Sequence, residues 1–240
     1  MLITKLNQFQ DTGGNTMQKE NTVILSSRLL FLAVALSAPI YGIGMNSTKQ
    51  VAIGSYYIVA VTAMIALAIT YIPEIMYQRK IVALPIKLQE FIAIFTVLAM
   101  FFGEIMNFYD RFVWWDSMLH FFSGIMLSLI GSNLYQSLSR TNTNSPQYNP
   151  IVAIVFAVLF AIACGAVWEI IEFAGDSLLG MNMQRWQVSA SEQYSAIQSM
   201  SNLSNPGLVN TMKDIICDVI GSLCSIFFML PSKNTGIFNR

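Results

Sequence analysis

The chemistry in this chain is concentrated in a few acidic residues and one histidine. Asp116 and His120, the single histidine of the chain, stand four residues apart. Glu169, Glu172 and Asp176 follow at spacings of three and four, and Asp214 and Asp218 at four. On a helix these spacings place each set on one face. Carboxylate oxygens with one imidazole suit Mg²⁺, Mn²⁺ or Zn²⁺, and helices supplying two ligands each are a familiar way to build such a centre. The metal-ligand set read from the spacing is Asp116, His120, Glu169, Glu172, Asp214 and Asp218. Glu104, Asp110, Arg111, Asp176 and Lys213 form a further polar set around it. Metal-activated water would then be the nucleophile, with His120, Asp116 or Glu169 as catalytic acid or base. Arg111 and Lys213 would grip an anionic phosphate.

These residues lie in or beside long apolar runs. Of 240 residues, 55% are hydrophobic and 11% charged, against about 25% charged in a soluble domain. Runs of about 18 apolar residues or more mark membrane-spanning helices. The expected fold is therefore an all-α integral membrane protein, a polytopic bundle of about six transmembrane helices, spanning about 24–44, 51–76, 89–108, 114–137, 150–178 and 209–230. A polar N-terminal tail (1–22) and a short C-terminal tail (232–240) flank this 23–231 domain. The first run begins after a long polar stretch and lacks a convincing cleavage site, so it is read as an uncleaved span. The loop between Met181 and Gly207, rich in Ser, Gln and Asn, is read as a disordered connection or a lid.

Basic residues set the expected orientation. With both termini inside, the cytoplasmic side receives Lys5, Lys19, Arg28, Arg79, Lys80, Lys87, Arg140, Lys233 and Arg240, and the outer side Lys49, Arg111, Arg185 and Lys213. The excess inside favours this N-in, C-in arrangement. Alternate spans run in opposite directions, so all the acidic residues named above fall at one depth, in the outer half. A charge at mid-membrane costs roughly 2.5–3.5 kcal/mol on insertion scales, so these carboxylates must face one another, a cation or water rather than lipid. Arg111 and Lys213 are too few to balance them, so either some carboxylates are protonated, in a proton-sharing network or a proton or ion pathway, or a cation neutralises them, a divalent metal being one candidate.

Zero net charge and the absence of a basic tract exclude nucleic acid as a partner. Cys164, Cys217 and Cys224 lack the spacing of a zinc or redox site and read as packing residues. Ser123-Gly124, Gly131, Ala161/Gly165 and Gly221/Ser222 are the small residues of close helix contacts. Three functions compete for the cluster. One is a metal-dependent enzyme at the outer leaflet, acting on a lipid or lipid-phosphate head group. Another is an ion- or proton-coupled transporter, disfavoured because the inner halves of the spans hold almost no charge. The last is a non-catalytic assembly or partner protein whose acids lock the fold.

The runs YDRFVWWDSMLHFFSG (Tyr109–Gly124), WEIIEFAGD (Trp168–Asp176) and DIICDVIG (Asp214–Gly221) together resemble the YjdF-like family of bacterial inner-membrane proteins. The resemblance covers about residues 90–230. It implies a multi-pass protein of the bacterial cytoplasmic membrane with Asp110, Asp116, His120, Glu169, Glu172, Asp214 and Asp218 in its polar core, and it supplies no substrate.

Overall fold

The computed structural model describes residues 21–44, 50–140, 149–184 and 206–229. The two tails, Lys49 and most of the Met181–Gly207 loop, Arg185 included, lie outside these residues. Every described regular element is a helix: α1 (Thr22–Gly44), α2 (Gln50–Gln78), α3 (Ile86–Thr96), α4 (Phe108–Arg111), α5 (Trp115–Arg140), α6 (Pro150–Leu179), α7 (Pro206–Cys224) and α8 (Ile226–Met229). The α3 helix continues as a π-helical segment, Val97–Ile105, which ends where Asn107 takes a left-handed conformation, φ 57°.

Among the described residues, five helices are long and apolar enough to cross a membrane: those over Thr22–Gly42, Tyr56–Gln78, Ile86–Ile105, Trp115–Ser139 and Pro150–Leu179. The polytopic helical bundle expected from hydropathy is what the chain forms. The α7 helix is not among the five, because Lys213, Asp214 and Asp218 interrupt its apolar character. Its polar face is covered by protein instead, since α7 packs against both α5 and α6.

Local signals explain where α6 begins and ends. The Asn149 side chain caps its start, accepting from the Ile151 and Val152 amides at 2.9 and 3.3 Å, with Pro150 at the first helical position. Gly180, in a left-handed conformation with φ 63°, closes the other end.

Packing divides into two groups joined by α3. Phe31 and Ala35 of α1 meet Ala63 and Ala66 of α2, and the π-helical segment leans on this pair through Val97, Met100 and Phe101. On its other side α3 packs Leu88 and Ile92 against Ile125, Met126 and Leu129 of α5. The α5 helix is the hub: half of its span is buried inside the protein, against 22–28% of the other four.

Small residues bring α5, α6 and α7 together. The buried face of α6 reads Ala153, Ala157, Ala161, Gly165, then Glu169, a four-residue repeat that ends on a carboxylate. A Cβ on Gly221 would overlap the Phe121 carbonyl oxygen, and one on Gly124 the Asp218 carbonyl oxygen. The backbones of α5 and α7 therefore touch at two reciprocal points, as small-residue helix interfaces in membranes permit.

Candidate metal centre

The same helix faces that carry the small residues carry the titratable ones. Asp116 and His120 precede Gly124 on one face of α5. Glu169 and Glu172 follow Gly165 on α6, and Asp214 and Asp218 precede Gly221 on α7. Close approach of the three backbones consequently draws the six side chains to one end of the bundle. His120, Glu169, Glu172, Asp214 and Asp218 are buried, and Asp116 is nearly so.

His120 lies at the centre. Its Nδ1 is 3.1 Å from Asp218 Oδ2, and its Nε2 is 3.5 Å from Glu169 Oε1 and 3.9 Å from Asp116 Oδ1. The Ser123 hydroxyl shares its one proton between the other Asp218 oxygen and the His120 carbonyl oxygen, 2.7 Å away. Asp214 accepts from the Ser117 hydroxyl at 3.0 Å and from Asn210 Nδ2 at 2.8 Å. Trp168 Nε1 donates to Glu172 Oε1 at 2.8 Å.

The carboxylates are not all equally satisfied. Neither oxygen of Glu169, nor Oε2 of Glu172, has a hydrogen-bond donor in good geometry among the described residues. Glu169 is 3% exposed and Glu172 5%, so bulk water does not replace the missing donors. Buried carboxylates without donors or counter-charge are costly. Among the described residues, no Lys or Arg forms an ion pair with Glu169, Glu172, Asp214 or Asp218.

Potential ligand atoms of His120, Glu169 and Glu172 lie within 4.8 Å of one another, as do those of Asp116, His120 and Asp214. The two groups share His120, and each gathers three side chains closely enough for an ion of 2.0–2.6 Å bond length. The donor set, four carboxylates and one imidazole, fits a divalent cation of the Mg²⁺, Mn²⁺ or Zn²⁺ kind.

The outlying polar residues fall elsewhere. Glu104 lies in the π-helical segment, and Asp110 and Arg111 in α4; all three are exposed, as is Lys213 on α7. Asp176 is occupied structurally: its two oxygens accept from the backbone amides of Met183 and Gln184, closing the turn after α6. Replacing Asp176 by Ala is expected to cost about 1.5–3 kcal/mol, the worth of hydrogen bonds to a charged group. Faster proteolytic nicking after Leu179, with the metal content unchanged, is the measurement.

Ser117, Ser123 and Asn210 are the members of the site that spacing did not single out. Asn210 stands four residues before Asp214, and Ser117 and Ser123 each lie three from His120. Those spacings are visible, but a serine or asparagine in an apolar helix is too common to be diagnostic.

Fold and site together define a polytopic α-helical membrane protein with a buried histidine–carboxylate cluster able to hold a metal. The chain belongs to the DUF2238 family, described as "Predicted membrane protein", whose model matches residues 27–234. That is a membrane-protein family, as the resemblance implied, and its description does not carry the YjdF name. An uncharacterized protein of Thermotoga maritima is 27% identical over 137 residues, covering 57% of this chain and 57% of that protein. The match thus spans little more than half of the relative's length. No solved structure matches the chain.

Proposed function

We propose that the cluster binds one divalent metal and that the protein is a metal-dependent enzyme acting on a lipid or lipid-phosphate head group. The observation that carries this reading is the set of buried, donor-free oxygens on Glu169 and Glu172, gathered around His120. A cation is the partner that satisfies oxygens of this kind, because it supplies the positive charge that nearby side chains do not. His120, Glu169 and Glu172 would hold it, with Asp214 completing the set.

Bound there, the metal would polarise a phosphoryl or ester oxygen and lower the pKa of a water molecule. The chain's own groups would do the rest. Asp116, the most exposed carboxylate of the cluster and outside that ligand set, would take the proton of the attacking water. Lys213 and Arg111, both exposed near this end of the bundle, would receive the anionic head group. Placement at the outer leaflet of a bacterial cytoplasmic membrane follows if α7 counts as the sixth span and both termini lie inside, as the distribution of basic residues favours.

Elemental analysis of purified protein after a mild chelator wash tests the centre, with the Asp116→Ala/Glu169→Ala variant beside the wild type. Stoichiometric metal in the wild type and none in the variant is the expected result. Metal in neither sample would overturn the reading. The metal-loaded protein is then screened against outer-leaflet phospholipids, where the double variant is expected to release no product.

A further inference from the structure

The two nitrogens of His120 face different surroundings. Nε2 looks toward Asp116 and Glu169, while Nδ1 meets Asp218 at 3.1 Å. We propose that Asp218 is a positioning residue and not a ligand, and that with Ser123 it keeps the proton on Nδ1 so that Nε2 is the metal-facing nitrogen. The consequence for metal affinity rests on the metal reading above; the protonation pattern of the ring does not.

Three observations carry the inference. Both Asp218 oxygens are occupied, one by His120 Nδ1 and the other by the Ser123 hydroxyl. An ionised carboxylate only accepts, and with Asp218 in that form Nδ1 is the donor of the hydrogen bond between them. A neutral imidazole has one donor and one acceptor nitrogen, which leaves the Nε2 lone pair directed at the other carboxylates.

Asp218 is also held where it is. A Cβ on Gly165 would overlap Asp218 Oδ2, and one on Gly124 its carbonyl oxygen. Helices α5 and α6 thus close on this residue from two sides, and it is 1% exposed. Swinging its carboxylate around the ring to the Nε2 side would mean leaving that packed slot. The ligand groups that the geometry assembles, His120 with Glu169 and Glu172 and His120 with Asp116 and Asp214, leave Asp218 out. A histidine whose far nitrogen donates to a carboxylate is the usual outer-shell support of a metal ligand, and its loss typically costs 10–100-fold in affinity.

The chain contains one histidine, so ¹⁵N-histidine labelling of the full-length protein yields a single pair of ring-nitrogen signals. In the wild type, Nδ1 is expected to carry a proton both after chelator treatment and with Zn²⁺ added, while Zn²⁺ moves the Nε2 signal. Loss of the proton from Nδ1 in either state would overturn the proposal. Zinc that fails to bind would defeat the metal reading, yet the ring signals of the zinc-free protein would still decide this one. Asp218→Ala is expected to bind zinc 10–100-fold more weakly with unchanged stoichiometry, and Asp218→Asn, whose amide oxygen can still accept from Nδ1, to recover part of that loss. Abolished stoichiometry in a folded Asp218→Ala protein, as in Glu169→Ala, would make Asp218 a ligand.

Discussion

Replacing Glu169 and Glu172 together by Gln is expected to raise the thermal stability of the metal-free protein while removing all stabilisation by added metal. Both carboxylates are buried and carry donor-free oxygens. Asp116, Asp214 and Asp218 share the same space, and one imidazole cannot neutralise five acids. Neutral amides of nearly the same shape relieve the repulsion. Replacing a buried ion pair by well-packed hydrophobic residues of similar volume ranges from neutral to a gain of about 1–4 kcal/mol, and relief of like-charge repulsion by amides is expected to act in the same direction. The wild type is expected to show the complementary behaviour: at a metal concentration 100 times Kd, binding to the folded state alone would add about 2.7 kcal/mol.

Thermal unfolding in detergent, with chelator and with Zn²⁺ or Mn²⁺, reads both effects. A purely structural network of shared protons predicts the reverse outcome. The double Gln variant would then unfold at lower temperature, and metal would shift neither protein. The experiment therefore separates a functional centre that costs stability from a polar lock that provides it.

Gly221→Ala is the second large effect, and here the loss is architectural. Its new Cβ would overlap the carbonyl oxygen of Phe121, which is backbone and cannot rotate away. Helix α7 must then move off α5, at a cost at or above the upper end of the 1–3 kcal/mol typical of overpacking. Gly221→Val is expected to prevent accumulation of a monodisperse protein. Gly131→Ala on the same α5 face is the control. Its Cβ would meet the Phe160 ring at 2.9 Å, Phe160 Cβ at 3.1 Å and the Ala157 backbone at 3.2 Å, a milder clash than that of Gly221 with a carbonyl oxygen and one that a small shift of α5 against α6 relieves. Size-exclusion profiles and melting temperatures of the three variants check the order. Because His120 and Asp218 bond across the α5–α7 contact, Gly221→Ala is also expected to weaken metal binding, whereas Gly131→Ala is not.

Much of this arrangement is legible in the sequence, because it is local. Long uncharged runs determine membrane helices, since an unpaired backbone in lipid leaves no other spanning choice for them. The repeat of three and four residues determines that Asp116 joins His120, Glu169 joins Glu172, and Asp214 joins Asp218 on single helix faces. Gly124, Gly165 and Gly221 mark the contacts where these faces meet. The alternation of span direction even places the three faces at one depth.

Only tertiary structure decided which of the polar residues assemble, and in what roles. Glu104 falls at the same depth as the others by sequence, but the π-helical segment carrying it packs on α1 and α2 and leaves it exposed. Asp176 continues the face of Glu169 and Glu172, yet the chain turns back after Gly180 and its backbone amides claim that carboxylate. Asp218 is indistinguishable from Asp214 by spacing, yet in the fold it meets Nδ1 of His120 while Glu169 lies on the Nε2 side. Sequence spacing carries no record of such choices: they depend on how far apart three helices lie and how each is rotated about its axis, and those distances are set by side chains many residues away.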